Sequence, residues 1–372
     1  MRTGWLGTLA ATALVTVACS ISATPPSALG PATSNLALVT LSGSNDIVVG
    51  DITDVSHPKI IGTLGIYPVP QGAGPAMEGA AGQFISATAV AYRSGSTDAS
   101  FGLPTGLFRV PLSGSPATPI IKGSQAVIVF SWSPDGGTLV YVTAGDSGSE
   151  LHQLKAGQDR VLASVPPPGL GGGCEVAPCP GPFQNPGDGW DFRLSYSADG
   201  ALISMAQNSI TSYLRIWNAQ GEVLGSLDSQ VVTMSVWSGA RLYFRDSKGV
   251  EAWRDGVVST FLPGVAWIRP KASPDGAHIV YEARDQQGSA HVFIVDTATR
   301  MVRDLGKGRA EPAFLTSRYI WYEAEPACVA AGTCEPGFPG IATGKTYIYD
   351  LRDNTESGSV ITSVLDVWPH PE

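Results

Sequence analysis

The chain has 372 residues, only 15% of them charged, and a formal net charge of −9. Glycine (44) and proline (28) exceed their usual shares while strand-length apolar runs recur, which excludes a disordered chain and fits a turn-rich folded one. The negative balance, with no basic patch or arginine–aromatic platform, argues against a nucleic-acid partner. The length suits two average domains or one closed all-β domain.

At the N-terminus, Met1-Arg2 supplies one positive charge, and Trp5 to Ala18 is an apolar run too short to span a bilayer comfortably. The run ends Val15-Thr16-Val17-Ala18-Cys19, which resembles the lipobox of bacterial lipoproteins, where the cysteine becomes the acylated first residue. Ala18 matches that pattern. Thr16 stands where the family usually has leucine, so cleavage at an ordinary small-residue site is the alternative. Both imply export. The resemblance implies a signal peptide over residues 1–18 and a lipid anchor on Cys19, placing the protein outside the cytoplasmic membrane or in the periplasm or cell envelope. Residues 19–34, rich in Ser, Pro, Ala and Thr, are expected to be a flexible tether ahead of a single domain over 35–372. No later run is long and apolar enough to be a membrane span.

The domain is organised around Phe130-Ser-Trp-Ser-Pro-Asp-Gly-Gly-Thr-Leu-Val-Tyr-Val142. Proline fixes φ, the aspartate side chain bonds nearby backbone N–H groups, and Gly136 accepts positive φ, so the spacing predicts strand, tight turn, strand. The pattern returns at 194–205 (Leu-Ser-Tyr-Ser-Ala-Asp-Gly, then Ala-Leu-Ile-Ser-Met) and at 271–281, and in degenerate form at Ser235-Val-Trp-Ser-Gly239. A third strand and a short fourth follow each copy, giving four strands in roughly 35 to 50 residues, the blade period of a β-propeller. The repeat resembles the WD40-like repeat of TolB-type propellers, which implies a fold and says little about activity.

Units near 84–122, 126–164, 190–227, 231–262, 265–306 and 311–362 predict six blades. A seventh is expected to combine three N-terminal strands (residues 35–63) with an orphan C-terminal strand, Ser363 to Pro369, closing the ring. Seven four-stranded blades is thus the expected all-β architecture, with six or eight as alternatives.

Besides Cys19, four cysteines lie in two close pairs, Cys174/Cys179 and Cys328/Cys334. An even number in an exported chain reads as disulfides, the local pairing being the simplest of three. Zinc is the competing reading, but the spacings are wider than C-x₂-C and no histidine is near. Second-to-third-strand loops and blade-to-blade connections emerge on one face. The long insertions at 165–189, 325–344 and Arg93 to Thr105 should therefore crowd that face, a placement typical of binding loops. Glu175, Asp188, Trp190, Asp191, Glu323 and Glu325 are the candidate ligand-face residues, suited to a cation or to a basic or sugar ligand; the plain alternative is solvated loop charge. Trp132, Tyr141, Tyr196, Tyr243 and Tyr281 read as blade packing, and Asp135, Asp199 and Asp275 as turn-formers.

The five histidines (57, 152, 278, 291 and 370) are scattered, and no P-loop, Rossmann, EF-hand or G-x-S-x-G pattern occurs. No catalytic residue, cofactor or metal is assigned. The resulting expectation is a monomeric envelope scaffold whose loop face takes a protein partner, touching the membrane through its lipid alone. A small-ligand or carbohydrate receptor, and a propeller enzyme of lyase or glycosidase type, are the alternatives.

Overall fold

The computed structural model describes residues 35–44, 46–66, 82–97, 104–121, 127–145, 148–165, 192–207, 213–227, 233–325 and 344–369. All regular elements among them are strands, arranged as seven four-stranded antiparallel sheets. Blades 1 to 6 span 82–121, 127–165, 192–226, 233–263, 268–307 and 309–358, each pairing its strands in chain order. Blade 7 is composite: Ile361–Trp368 is its first strand, and Leu36–Leu41, Asp46–Asp51 and Lys59–Ile66 are its second to fourth. The two chain ends close the ring through pairs from Leu36↔Trp368 to Leu41↔Ile361.

Seven blades and terminal closure agree with the expectation; two boundaries move. The closing strand begins at Ile361, so 361–362 leave blade 6. The expected loop Arg93 to Thr105 is mostly strand: Ala89–Thr97 and Pro104–Pro111 pair out to Thr97↔Pro104, and Arg93 is fully buried with Nη2 donating to the Ile128 carbonyl at 2.6 Å. Sequence polarity hid this, because a buried arginine in a strand reads like a loop residue.

The repeated tetrad folds for a local reason. Ser133 Oγ donates to Asp135 Oδ1 (2.5 Å) and accepts from Thr138 N (2.9 Å), while Asp135 Oδ1 also accepts from Gly137 N (2.9 Å). Ser197 with Asp199 and Ser273 with Asp275 build the same turn. These bonds hold all three aspartates below the ordinary carboxylate range; at Asp135 and Asp199 the serine hydroxyl is the main cause, while at Asp275 burial opposes it.

Hydrophobic packing lies between blades. Among the described residues, seven buried clusters each join two neighbours, such as Val140, Val142 and Leu151 of blade 2 with Ile203, Met205 and Trp217 of blade 3. The five repeat aromatics are all buried. At about 1.5–3 kcal/mol for each large side chain withdrawn from water, packing accounts for their recurrence.

Because strands alternate in direction, the two ends of the ring differ. First-to-second and third-to-fourth turns lie at one end, the turn face. Second-to-third and blade-to-blade connections lie at the other, the loop face. The strand ends flanking residues 166–191 and 326–343 belong to the loop face.

Candidate functional site

Of the candidate residues, Cys19, Cys174, Glu175, Cys179, Asp188, Trp190, Asp191, Cys328 and Cys334 lie outside the described residues. Glu323 and Glu325 are described, at the loop-face end of the second strand of blade 6 (Tyr319–Ala324) and just beyond it. The fold brings to them a group of charged residues that the sequence reading did not single out.

The organising feature is a backbone bulge repeated in three consecutive blades. Each first strand places two residues against one of its partner strand: Met234-Ser235 in blade 4, Arg269-Pro270 in blade 5 and Glu311-Pro312 in blade 6. The leading residue is left-handed each time, with φ of 54°, 49° and 54°. A non-glycine residue held there costs about 1–3 kcal/mol and persists only where its surroundings impose it. Proline in the second position cannot donate to the ladder, which a bulge tolerates.

Two of these bulges carry the charges that join blades 5 and 6. Arg269 Nη1 lies 2.9 Å from Glu311 Oε1 and 3.5 Å from Glu282 Oε2, and the Glu311 backbone N–H donates to Glu282 Oε2 at 3.2 Å. Arg284 meets Glu282 Oε1 at 3.0 Å and binds Glu325 in bidentate fashion, at 3.0 and 3.3 Å. Glu325 closes the loop by donating its backbone N–H to the Gly308 carbonyl at 3.0 Å. Arg193, on the first strand of blade 3, extends the belt by reaching the bulge carbonyls of Ser235 and Pro270, each at 3.4 Å. Inner strands of four successive blades are thus tied together at the loop-face end.

The electrostatics single out Glu323. Three carboxyls (Glu282, Glu311, Glu325) lie in ion-pair reach of Arg269 and Arg284, and Glu323 stands close enough to this group to feel the charges of Arg269, Glu311 and Glu325. Burial pushes the Glu282 carboxyl up, against the pull of Arg269 and Arg284. Half-buried Glu323 is pushed up to about 7, first by burial and then by the charge of Glu311, with the Gly344 N–H and Arg269 opposing. It can therefore hold or release a proton near neutrality, while Glu325 is buried and engaged by Arg284.

A cue to this site existed in the sequence. Arg269-Pro270 and Glu311-Pro312 are charged-residue–proline dipeptides at the same point of successive blades, and Glu282 and Arg284 interrupt an otherwise apolar strand. Their convergence needs the ring. Among the described residues, no group of three or more His, Cys, Asp or Glu could hold a metal ion.

No family model matches the sequence, and no curated protein does. Solved structures do. The β-propeller domain of the Trilobed protease from Pyrococcus furiosus is similar at 12% identity over 74% of this chain and 81% of that one, with a TM-score of 0.50. A putative 6-phosphogluconolactonase from Bacteroides fragilis has 12% identity, covers 91% of this chain and 99% of that one, and scores 0.50. TolB from Acinetobacter baumannii has 14% identity, 93% and 87% coverage, and a TM-score of 0.45. At these identities the likeness is one of fold, and the chain is a seven-bladed β-propeller.

Proposed function

We propose that this propeller is an exported, lipid-anchored binding scaffold of the cell envelope, presenting its loop face to a protein partner. The observation that carries the reading is the charge belt of blades 3 to 6. It ties inner strands together beneath the strand ends flanking 166–191 and 326–343. Rigid stems lower the ordering cost of binding, and local disulfides 174–179 and 328–334 would add to that pre-organisation. Mature monomers would be held at the membrane by acylated Cys19.

A small-ligand receptor is the second reading. Glu323, titrating near neutrality beside two left-handed bulges, favours it, because perturbed carboxyls and strained backbone concentrate at binding sites.

Cross-linking of the membrane-attached protein in its native envelope, followed by mass spectrometry, tests the scaffold. The expected result is one discrete protein linked through 165–189 or 325–344. Failure to capture any partner, or links confined to the turn face, would overturn it in favour of the receptor. A ligand screen read by thermal shift, with Glu323→Gln as control, then decides that second reading.

A further inference from the structure

We propose that the turn face is the membrane-facing side of the ring, contacting the lipid surface through an apolar rim, so that the loop face points away from the bilayer. The inference rests on the anchoring reading above and adds an orientation to it.

The first observation is where the chain enters the fold. Leu36–Leu41 is a second strand, so it runs from the turn face towards the loop face, and Leu36 pairs with Trp368 at the turn-face end. Asn35 lies there too: its carbonyl accepts from Ile52 N at 3.0 Å, within the turn region between third and fourth strands of blade 7. Only residues 20–34 separate Cys19 from this point. Even fully extended, such a segment spans about 50 Å, so an acylated Cys19 holds the turn face close to the bilayer.

The second observation is independent of the tether. Outer strands start at the turn face, and in blades 3, 4 and 5 paired exposed apolar residues stand at or just before that start: Val223 and Leu224, Val257 and Val258, Met301 and Val302. Met301 is 72% exposed and Val257 66%, the two most open large apolar side chains among the described residues. Blades 3 to 5 lie across the ring from blade 7, where the chain enters, and Ile60 adds an exposed side chain on blade 7 itself. Anchor and rim therefore meet a flat surface at opposite edges of one face. Val360 alone represents this class at the loop-face end among the described residues.

Several turn-face charges are paired internally, and an uncharged lipid surface presents no like charge to the ionised Asp135, Asp199 and Asp275. Arg254 pairs with Asp255 at 3.4 Å, and Arg318 with Asp350 and Asp353 at 2.5 and 2.7 Å. Binding should therefore be apolar, shallow and insensitive to salt, with side chains entering no deeper than about 5–10 Å.

The test uses the full acylated chain on phosphatidylcholine vesicles carrying brominated acyl chains. Met301, Val257 and Val360 are replaced one at a time by a fluorescent non-natural amino acid. Met301 and Val257 labels are expected to lose several-fold more emission than the Val360 label, at low and high salt alike. Equal quenching, or stronger quenching at Val360, on anchored protein overturns the orientation and leaves the anchor intact. Wild-type chain recovered free of membrane defeats the anchoring reading and the orientation with it. Far-UV circular dichroism of each labelled chain confirms that the ring is folded, and a double Val257→Ser, Met301→Ser chain should show weaker quenching at a label on Val223.

Discussion

The two faces of the ring are built by opposite means. On the turn face, serine, aspartate and glycine within one tetrad satisfy each other's hydrogen bonds, and three blades repeat the same bonds at distances of 2.5–3.1 Å. At the loop-face end, polar groups find partners across blade boundaries: Arg269 with Glu311, Arg284 with Glu325, Arg193 with the carbonyls of Ser235 and Pro270. The turns make their defining bonds within a few residues, with contacts such as Ser238 Oγ donating to the Gly276 carbonyl added across blade boundaries. The loop-face end holds three left-handed bulges in first strands and a carboxyl poised near neutrality, and the neighbouring blades supply the charges that surround both.

Opening the ring should therefore have the largest effect. Removing residues 363–372 takes away most of the first strand of blade 7, leaving Leu36–Leu41 as an open edge and exposing Ala37, Val39 and Leu38. The cooperative melting transition should disappear; an unchanged curve by calorimetry would show that closure is dispensable. Next comes the belt. Glu282→Ala removes the buried carboxylate that bridges Arg269, Arg284 and the Glu311 N–H, while Glu311 and Glu325 still pair with the two guanidiniums, a loss of about 1–3 kcal/mol in urea unfolding. A loss no greater than that of an ordinary surface substitution would mean the belt does not tie the blades.

The turn face can be probed at two glycines of equal φ class. A Cβ on Gly136 (φ 66°) would meet the Ile85 carbonyl oxygen at 2.4 Å, whereas one on Gly239 (φ 59°) would meet nothing within 4 Å. Gly239→Ala should cost about 1 kcal/mol from backbone strain alone, and Gly136→Ala distinctly more, because backbone must move. Equal losses would show that blade 1 does not press on this turn.

The smallest effect is a pH slope. Glu323 is raised from 4.5 to about 7, so the folded state holds a proton that the unfolded state releases between those values. Its contribution is complete below the lower value and is lost as pH rises through the upper, so stability should fall across that window. The side chain is only partly buried, so solvent screening keeps the change to about 1 kcal/mol or less. Glu323→Gln should flatten the slope and melt higher than the parent at pH 8 while matching it at pH 5. A parallel slope in both chains would assign the effect elsewhere.

Much of the architecture was legible because its causes are local. Period-two apolar runs made strands, Ser-Pro-Asp-Gly fixed φ and satisfied its own donors, and each unit repeated, so blade number followed by counting. Even ring closure was readable: Leu36 to Thr40 had no first strand before it, and Ser363 to Pro369 had no blade of its own. Where polarity and burial conflicted, reading failed, as at Arg93, a strand residue with the appearance of a loop.

The site was less legible, for a physical reason. Glu323 was read as a candidate from its position alone, but its raised titration depends on Glu311 from another strand, and Glu325's engagement depends on Arg284 from another blade. By itself the sequence determined strands, turns, their order and the face from which each connection leaves, all consequences of contacts within a few residues. Tertiary structure decided which charges converge, which residues adopt left-handed backbone and which carboxyl keeps its proton, because Coulomb attraction and desolvation depend on separation in space, and the closed ring sets that separation.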